Sequence, residues 1–132
     1  MSSSVPVAVL ERKRDCFLDD TQLLFSQEPA RADNAFYLGG YAIEFGLKAR
    51  ICGTLRWKEY PPDSGLKKLL QIHDLDDLLL LTGLSARDFD GAWDQCKVWS
   101  VEARYNPEKS AEESANFLDA VRKVVEKLKS DE

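Results

Sequence analysis

The chain has 132 residues and a formal net charge of −5, with 44% hydrophobic and 31% charged residues. This composition is typical of a globular domain and excludes an intrinsically disordered chain. The length fits a single domain, residues 1–132, that buries enough surface to fold without a disulfide or a structural metal. The acidic balance argues against duplex DNA as a partner. Seven glycines and five prolines argue against a turn-rich sandwich or barrel.

The cysteines and the first residues predict a cytoplasmic protein. Three cysteines lie far apart in the sequence, at Cys16, Cys52 and Cys96. They form no C-x-x-C pair, and one histidine cannot complete a zinc site, so we expect free thiols and no cofactor. We expect no signal peptide, because the first residues carry no basic n-region, and the longest strongly apolar stretch, Leu78 to Leu81, is too short to span a bilayer. We therefore expect no membrane partner.

Helical periodicity runs through nearly the whole chain. The first predicted helix spans about Val7 to Gln27 and carries one apolar stripe, formed by Leu10, Phe17, Leu18, Leu24 and Phe25. The second spans about Ala30 to Leu55 and places small residues on one side, namely Ala35, Gly39, Ala42, Gly46, Ala49 and Gly53. Because glycine costs a helix about 1 kcal/mol relative to alanine, these positions predict the close approach of another backbone; the alternative is plain helix–helix packing. The narrow polar surface of this helix places it in the middle of a bundle.

Capping signals predict three further helices. The third spans Asp74 to Leu81, with Asp74 and Asp77 in the N-cap and N3 positions and Gly83 as its stop; its inward residues are Leu75, Leu78 and Leu79. Ser85 and Asp88 open a fourth, with apolar positions at Phe89, Ala92, Trp93, Cys96 and Trp99. Ser110 and Glu113 form a capping box before the last helix, whose seam is Ala111, Leu118, Val121, Val125 and Leu128. The sequence predicts an all-α bundle of about five helices and no strand.

The residues that could bind a ligand lie on the polar side of the second helix. No Walker loop, G-x-G-x-x-G strand motif, H-E-x-x-H or G-x-S-x-G is present. This side of the helix carries Tyr37, Tyr41, Glu44 and Lys48, the last two in the favourable order for an i,i+4 ion pair. A buried carboxylate calls for a second cation, and Arg104 lies in an irregular stretch beside aromatic residues. The alternatives are a modest local ion pair, and an Arg104 that ties its loop to Glu44 or Asp74.

Two further features leave their function open. His73, directly before the third helix, lacks the partners of a nucleophilic triad, and its alternative role is a hydrogen bond to a neighbouring backbone or carboxylate group. The stretch from Lys48 to Lys68 has a net charge of +4, whereas Asp74 to Asp94 has a net charge of −5. Such runs form solvated faces, an anion site or complementary surfaces of a dimer.

Three motifs occur in a recognisable order. The central helix reads Tyr37-Leu38-Gly39-Gly40-Tyr41-Ala42-Ile43-Glu44-Phe45-Gly46-Leu47-Lys48-Ala49. The other two are His73-Asp74-Leu75-x-x-Leu78 and Trp99-x-x-x-x-Arg104-Tyr105. They resemble, in turn, the YLaGYAvE-x-x-LKA, H-D-L-x-x-L and W-x-x-x-x-R-Y motifs of the HEPN domain family (higher eukaryotes and prokaryotes nucleotide-binding). The resemblance covers about Leu10 to Leu128.

The resemblance implies an antiparallel up-and-down helical bundle, commonly a homodimer, with a role tied to nucleotides or RNA. Some HEPN proteins are metal-independent ribonucleases in toxin–antitoxin, antiviral or RNA-processing systems. Others bind nucleotides without catalysis or partner a minimal nucleotidyltransferase. The ribonucleases carry an arginine followed four to six residues later by histidine. No histidine follows Arg104, which removes the usual general acid or base.

We therefore expect a HEPN-like, non-catalytic homodimer that binds a nucleotide or RNA and acts as an accessory or toxin–antitoxin partner, with a nucleotidyltransferase as a candidate partner. The expected nucleotide- or anion-binding residues are Tyr37, Tyr41, Glu44, Lys48, His73, Arg104 and Tyr105, and no residue is assigned a catalytic role. The alternatives are a divergent metal-independent ribonuclease that uses Arg104 with His73, and a pure dimerisation or interaction module.

Overall fold

The fold is an all-α helical bundle, as predicted. The computed structural model describes residues 4–27, 32–62, 74–96 and 111–129. In chain order these residues form β1 (Val5–Pro6), α1 (Val7–Gln27), α2 (Ala32–Leu55), β2 (Glu59–Tyr60), α3 (Leu75–Thr82), a 3₁₀ helix (Ala86–Phe89), α4 (Ala92–Cys96) and α5 (Ala111–Lys129). None of the described helices is both long and apolar enough to cross a membrane.

Helix α2 lies at the centre of the bundle and packs against α1, α3 and α5. A Cβ atom added at Gly39 would lie 2.9 Å from Cε2 of Phe117, and one added at Gly46 would lie 3.2 Å from Cδ1 of Leu128. The predicted close packing is therefore present at these two glycines, and side chains of α5 and α1, rather than another backbone, fill the space. Gly53 is exposed, with nothing within 4 Å of such a Cβ. The row of small residues on α2 is therefore not packed against a neighbouring helix at this position.

Helix α1 buries a charged residue within its packed face. Leu10 belongs to the core, and Phe17 and Leu18 pack against it, as their spacing predicts. Arg14 is only 3% exposed, and its Cδ would lie 3.4 Å from a Cβ at Gly46. Its Nε donates to Oδ1 of Asp15 at 2.9 Å. The guanidinium therefore has a carboxylate partner while the methylene groups of the side chain pack against the helix bundle. The same hydrogen bond is the main reason that the pKa of Asp15 is lowered.

The capping residues predicted for α3 are confirmed. Oδ1 of Asp74 accepts a hydrogen bond from the backbone N–H of Asp77 at 3.1 Å. The helix ends at Gly83, whose φ of 83° lies in the left-handed region that glycine adopts without strain. The predicted inward residues are buried, namely Leu75, Leu78 and Leu79.

The predicted fourth helix is interrupted, so that prediction was wrong in part. Ser85 and Asp88 form the expected capping box, but it opens the 3₁₀ helix. Asp90 and Gly91 then take φ values of 49° and 86°, and α4 starts after this break. Both conformations are left-handed, so a continuous α-helix cannot pass through them. The apolar positions in the described part are still buried: Phe89, Ala92, Trp93 and Cys96.

A two-residue strand pair is present where no strand was predicted. Strand β1 runs antiparallel to β2, with Val5 opposite Tyr60 and Pro6 opposite Glu59. The Oγ of Ser4 donates to the carbonyl of Pro61 at 2.6 Å and extends this contact. Two residues are too few to show the alternation by which a strand is recognised in a sequence.

The predicted seam of α5 is confirmed in its described side chains. Leu118, Val121, Val125 and Leu128 are buried, together with three residues that the heptad spacing did not include: Phe117, Ala120 and Val124. The capping box predicted at Ser110 and Glu113, and the apolar positions Ala111 and Trp99, lie outside the described side chains.

The three cysteines are free thiols, as expected. Cys52 and Cys96 are buried, and Cys16 is exposed, so it does not act as a core residue. Burial raises the pKa of the Cys96 thiol to about 12. Desolvation of the Cys52 thiol, reinforced by the charge of Glu59, raises its pKa to about 11. Neither buried thiol is therefore ionised near neutral pH.

Candidate functional site

Four of the predicted site residues lie on one side of α2 as two contacting pairs. Their spacing of four, three and four residues keeps them on one helical face. The hydroxyl oxygens of Tyr37 and Tyr41 are 3.1 Å apart, and their rings meet edge to face with centroids at 5.0 Å. One turn further along, Nζ of Lys48 donates to Oε2 of Glu44 at 3.0 Å. Helical periodicity alone therefore placed these side chains together correctly.

The Glu44–Lys48 ion pair is almost enclosed by protein. The Glu44 side chain is 2% exposed and that of Lys48 is 13% exposed. Removing both charges from water has a desolvation cost of several kcal/mol per ion, which only close pairing and further contacts can offset. The predicted ion pair is confirmed, and it is a buried pair rather than the modest local pair of a solvated helix surface.

Tyr60 is a part of this site that the sequence did not indicate. Its ring centroid lies 5.4 Å from Nζ of Lys48, within the range of a cation–π contact. Tyr60 is only 2% exposed. Burial raises the pKa of Tyr60 to about 12, with smaller contributions from Cys52 and the Glu44 carboxylate. Tyr60 therefore keeps its proton at neutral pH and covers the ammonium of Lys48 with a neutral ring.

An aromatic cluster of Phe17, Tyr37, Tyr41 and Phe45 extends the site onto α1. The rings of Phe17 and Phe45 stack with centroids 5.4 Å apart, and Tyr41 lies 6.0 Å from Phe17. Nζ of Lys13 lies 5.9 Å from the Phe45 centroid. All four residues are half-buried, so solvent reaches this part of the face more than it reaches Glu44. Such rings offer stacking surface to a planar ligand.

The remaining three predicted site residues, His73, Arg104 and Tyr105, lie outside the described residues. The predicted approach of Arg104 to Glu44 therefore stays a prediction. The described part of the chain contains no group of three or more His, Cys, Asp or Glu residues arranged to hold a metal ion. What the described residues assemble is a neutralised carboxylate, a covered ammonium and a half-buried aromatic cluster.

Comparison of the chain with protein-family profiles, with curated proteins and with solved structures gave no match.

Proposed function

We propose that the chain is a HEPN-like, non-catalytic protein that binds a nucleotide, or a nucleotide unit of RNA, at this face of α2. One observation carries the proposal: an enclosed Glu44–Lys48 pair lies on the same helical face as the half-buried rings of Tyr37 and Tyr41. The resemblance of the central helix to the HEPN motif points in the same direction.

The roles of these residues follow from their chemistry. The aromatic cluster supplies stacking surface for a base, a contact that contributes about 1–3 kcal/mol per base in proteins that bind single strands. An isolated Glu44 carboxylate would repel a phosphate, and Lys48 neutralises it. Because Lys48 is engaged with Glu44 and covered by Tyr60, the phosphate needs another cation. We assign this role to Arg104, whose planar guanidinium can bridge Glu44 and a phosphate oxygen.

The proposed protein binds without cleaving. No histidine follows Arg104 at the spacing of the HEPN ribonucleases, and Tyr60 is held protonated at neutral pH. His73 and Tyr105 are proposed to contact the same ligand. We further propose a cytoplasmic homodimer that acts as an accessory or toxin–antitoxin partner, for which a minimal nucleotidyltransferase is the candidate partner.

A calorimetric titration with mono- and triphosphates of each base, and with a short unstructured RNA, tests this proposal. We expect at least one of these ligands to bind the parent protein. Arg104→Lys keeps the charge and removes the bidentate fork, so we expect it to weaken binding by about tenfold or more. Arg122→Lys is the matched control, because Arg122 is a half-exposed arginine on α5 that pairs with Asp119.

The outcomes separate the proposal from its alternatives. If none of these ligands binds the parent protein, or if both arginine variants weaken binding equally, the proposal fails. Metal-independent cleavage of unstructured RNA that His73→Ala abolishes would replace it with the ribonuclease alternative. The melting temperature of each variant shows whether a loss of binding comes from a loss of folded protein.

A further inference from the structure

A second surface, distant in sequence from the α2 face, exposes a large apolar side chain beside a groove. Leu80 on α3 is 77% exposed, more than any other large hydrophobic residue in the described ranges. It borders a groove of about 310 Å³ between α3, the 3₁₀ helix and α4, whose apolar lining is Leu79, Leu80, Leu84, Ala86 and Trp93. Apolar side chains left exposed around a concave surface are typical of binding sites for protein or ligand.

The rim of this groove is acidic. Asp76 and Asp94 line it, and both are exposed. Nε1 of Trp93 donates to Oδ1 of Asp76 at 2.7 Å, which fixes this carboxylate at the edge of the apolar floor. Asp76 and Asp77 precede Leu80 by four and three residues, so helical geometry places both beside it. From Asp74 to Asp94 there are six acidic residues and one basic residue.

We propose that this groove binds a basic segment of a partner polypeptide, with an apolar side chain of that segment packed beside Leu80 and its lysines or arginines on the surrounding carboxylates. Charge complementarity selects this occupant. Phosphate-bearing ligands and anionic membrane surfaces are repelled by a rim of this charge. The volume lies at the low end of the range for ligand pockets, about 300–1,000 Å³, which suits one or two side chains of a peptide.

A symmetric second copy of the chain is a poorer occupant. A two-fold axis through this groove would bring two segments of net charge −5 against each other. Like charges placed opposite one another across an interface oppose association. The inference does not rest on the proposed nucleotide site, because none of the described residues that line the groove belongs to the α2 face.

Three synthetic peptides test the proposal by fluorescence anisotropy. Each has about 12 residues, three helical turns, with leucines spaced three and four apart. Their polar positions are all lysine, all glutamine or all glutamate. We expect the lysine peptide to bind, the glutamate peptide not to bind, and the affinity to fall as salt rises from about 50 to about 300 mM.

Variants locate the binding. Leu80→Ala is expected to weaken binding of the lysine peptide by about tenfold. Leu23→Ala is the matched control, because Leu23 is an exposed leucine on α1. The double variant Asp76→Asn, Asp77→Asn keeps an oxygen that can accept the hydrogen bond from Trp93 and removes two negative charges. It should therefore weaken binding of the lysine peptide and make its affinity depend less on salt.

Three outcomes overturn the proposal. The first is failure of the lysine peptide to bind the parent protein, or equal binding of all three peptides. The second is an equal effect of Leu80→Ala and Leu23→Ala. The third is self-association of the protein alone that Leu80→Ala abolishes in light scattering, because the occupant would then be a second copy.

Discussion

At the scale of single residues, the Glu44–Lys48 pair with Tyr60 beside it is the most constrained feature of the described site. A buried ion pair contributes little to stability compared with a well-packed apolar pair, but loss of one partner leaves a charge that water cannot solvate. Tyr60 adds to this constraint because its buried ring lies 5.4 Å from Nζ of Lys48. The three residues are therefore expected to respond to mutation as one unit.

Lys48→Ala should lower the free energy of unfolding by about 3 kcal/mol, because it removes the cation that pairs with the buried Glu44 carboxylate. The double variant Glu44→Leu, Lys48→Met should lower the free energy of unfolding by less than Lys48→Ala alone does. Urea denaturation of the three proteins measures both differences. A double variant less stable than Lys48→Ala would show that the pair stabilises the fold by itself.

Because the thiol of Cys96 is buried, the stability of the fold should decrease as the pH rises in the alkaline range. Its pKa is raised to about 12 by burial, whereas an unfolded cysteine ionises near 8.5. Above about pH 8.5 the unfolded chain loses this proton first, so stability falls as pH rises towards 12. Cys52 and Tyr60 act in the same direction, since the pKa of each is also raised.

We therefore expect the melting temperature to decrease steadily above about pH 8.5, and Cys96→Ala to make that decrease shallower. The slope against pH is the quantity to compare, because Cys96→Ala also removes packing volume. Cys16→Ala, at an exposed thiol on α1, is the control and should leave the slope unchanged. Equal slopes in all three proteins would contradict the role of Cys96.

At the scale of elements, α2 depends on which of its glycines face a neighbouring helix. Gly39→Ala places a methyl group 2.9 Å from the ring of Phe117, and overpacking of this kind costs about 1–3 kcal/mol. Gly53→Ala meets nothing within 4 Å and gains helix propensity, up to about 1 kcal/mol. The two substitutions should therefore shift the melting temperature in opposite directions. An increase of the melting temperature for both would show that α5 does not pack closely on Gly39.

The long helices could be predicted from the sequence because their signals are local. The bounds of α1 follow from its apolar stripe, and those of α3 from Asp74 and Gly83. The break before α4 was missed because the apolar spacing continues across it. The Asp90-Gly91 dipeptide, a common turn signal, was the indication available.

In the candidate site, too, contacts within one helix could be predicted from the sequence, whereas contacts between separate elements could not. Periodicity of a single helix predicts the arc from Tyr37 to Lys48, because all its members belong to α2. The contact of Lys48 with the Tyr60 ring could not be predicted in this way, since Tyr60 lies in a separate strand. Tyr60 reaches α2 through the pairing of β1 with β2, and a contact between two dipeptides leaves no periodic pattern in the sequence.

At the scale of the whole molecule, we predict a homodimer in solution. Within the described ranges, Leu55 at the end of α2 is exposed, and Trp57, two residues further on, is only half-buried. A second copy would cover apolar surface that one bundle leaves open. Light scattering at micromolar concentration should give twice the mass of one chain, and Leu80→Ala should leave that mass unchanged. A mass equal to one chain would contradict the prediction.

The pairing of β1 with β2 also has a consequence for how the bundle opens. Helices α1 and α2 are joined by residues 28–31 at one end, and the strand pair holds the start of α1 to the end of α2 at the other. Helices normally fray from their free ends, where local opening requires little free energy. The backbone N–H of Val7 also donates to the carbonyl of Lys58 at 3.1 Å, so we expect opening of the helices at this end to be coupled to opening of the strand pair. The first turn of α1 and the last turn of α2 should therefore exchange their amide hydrogens in one cooperative opening.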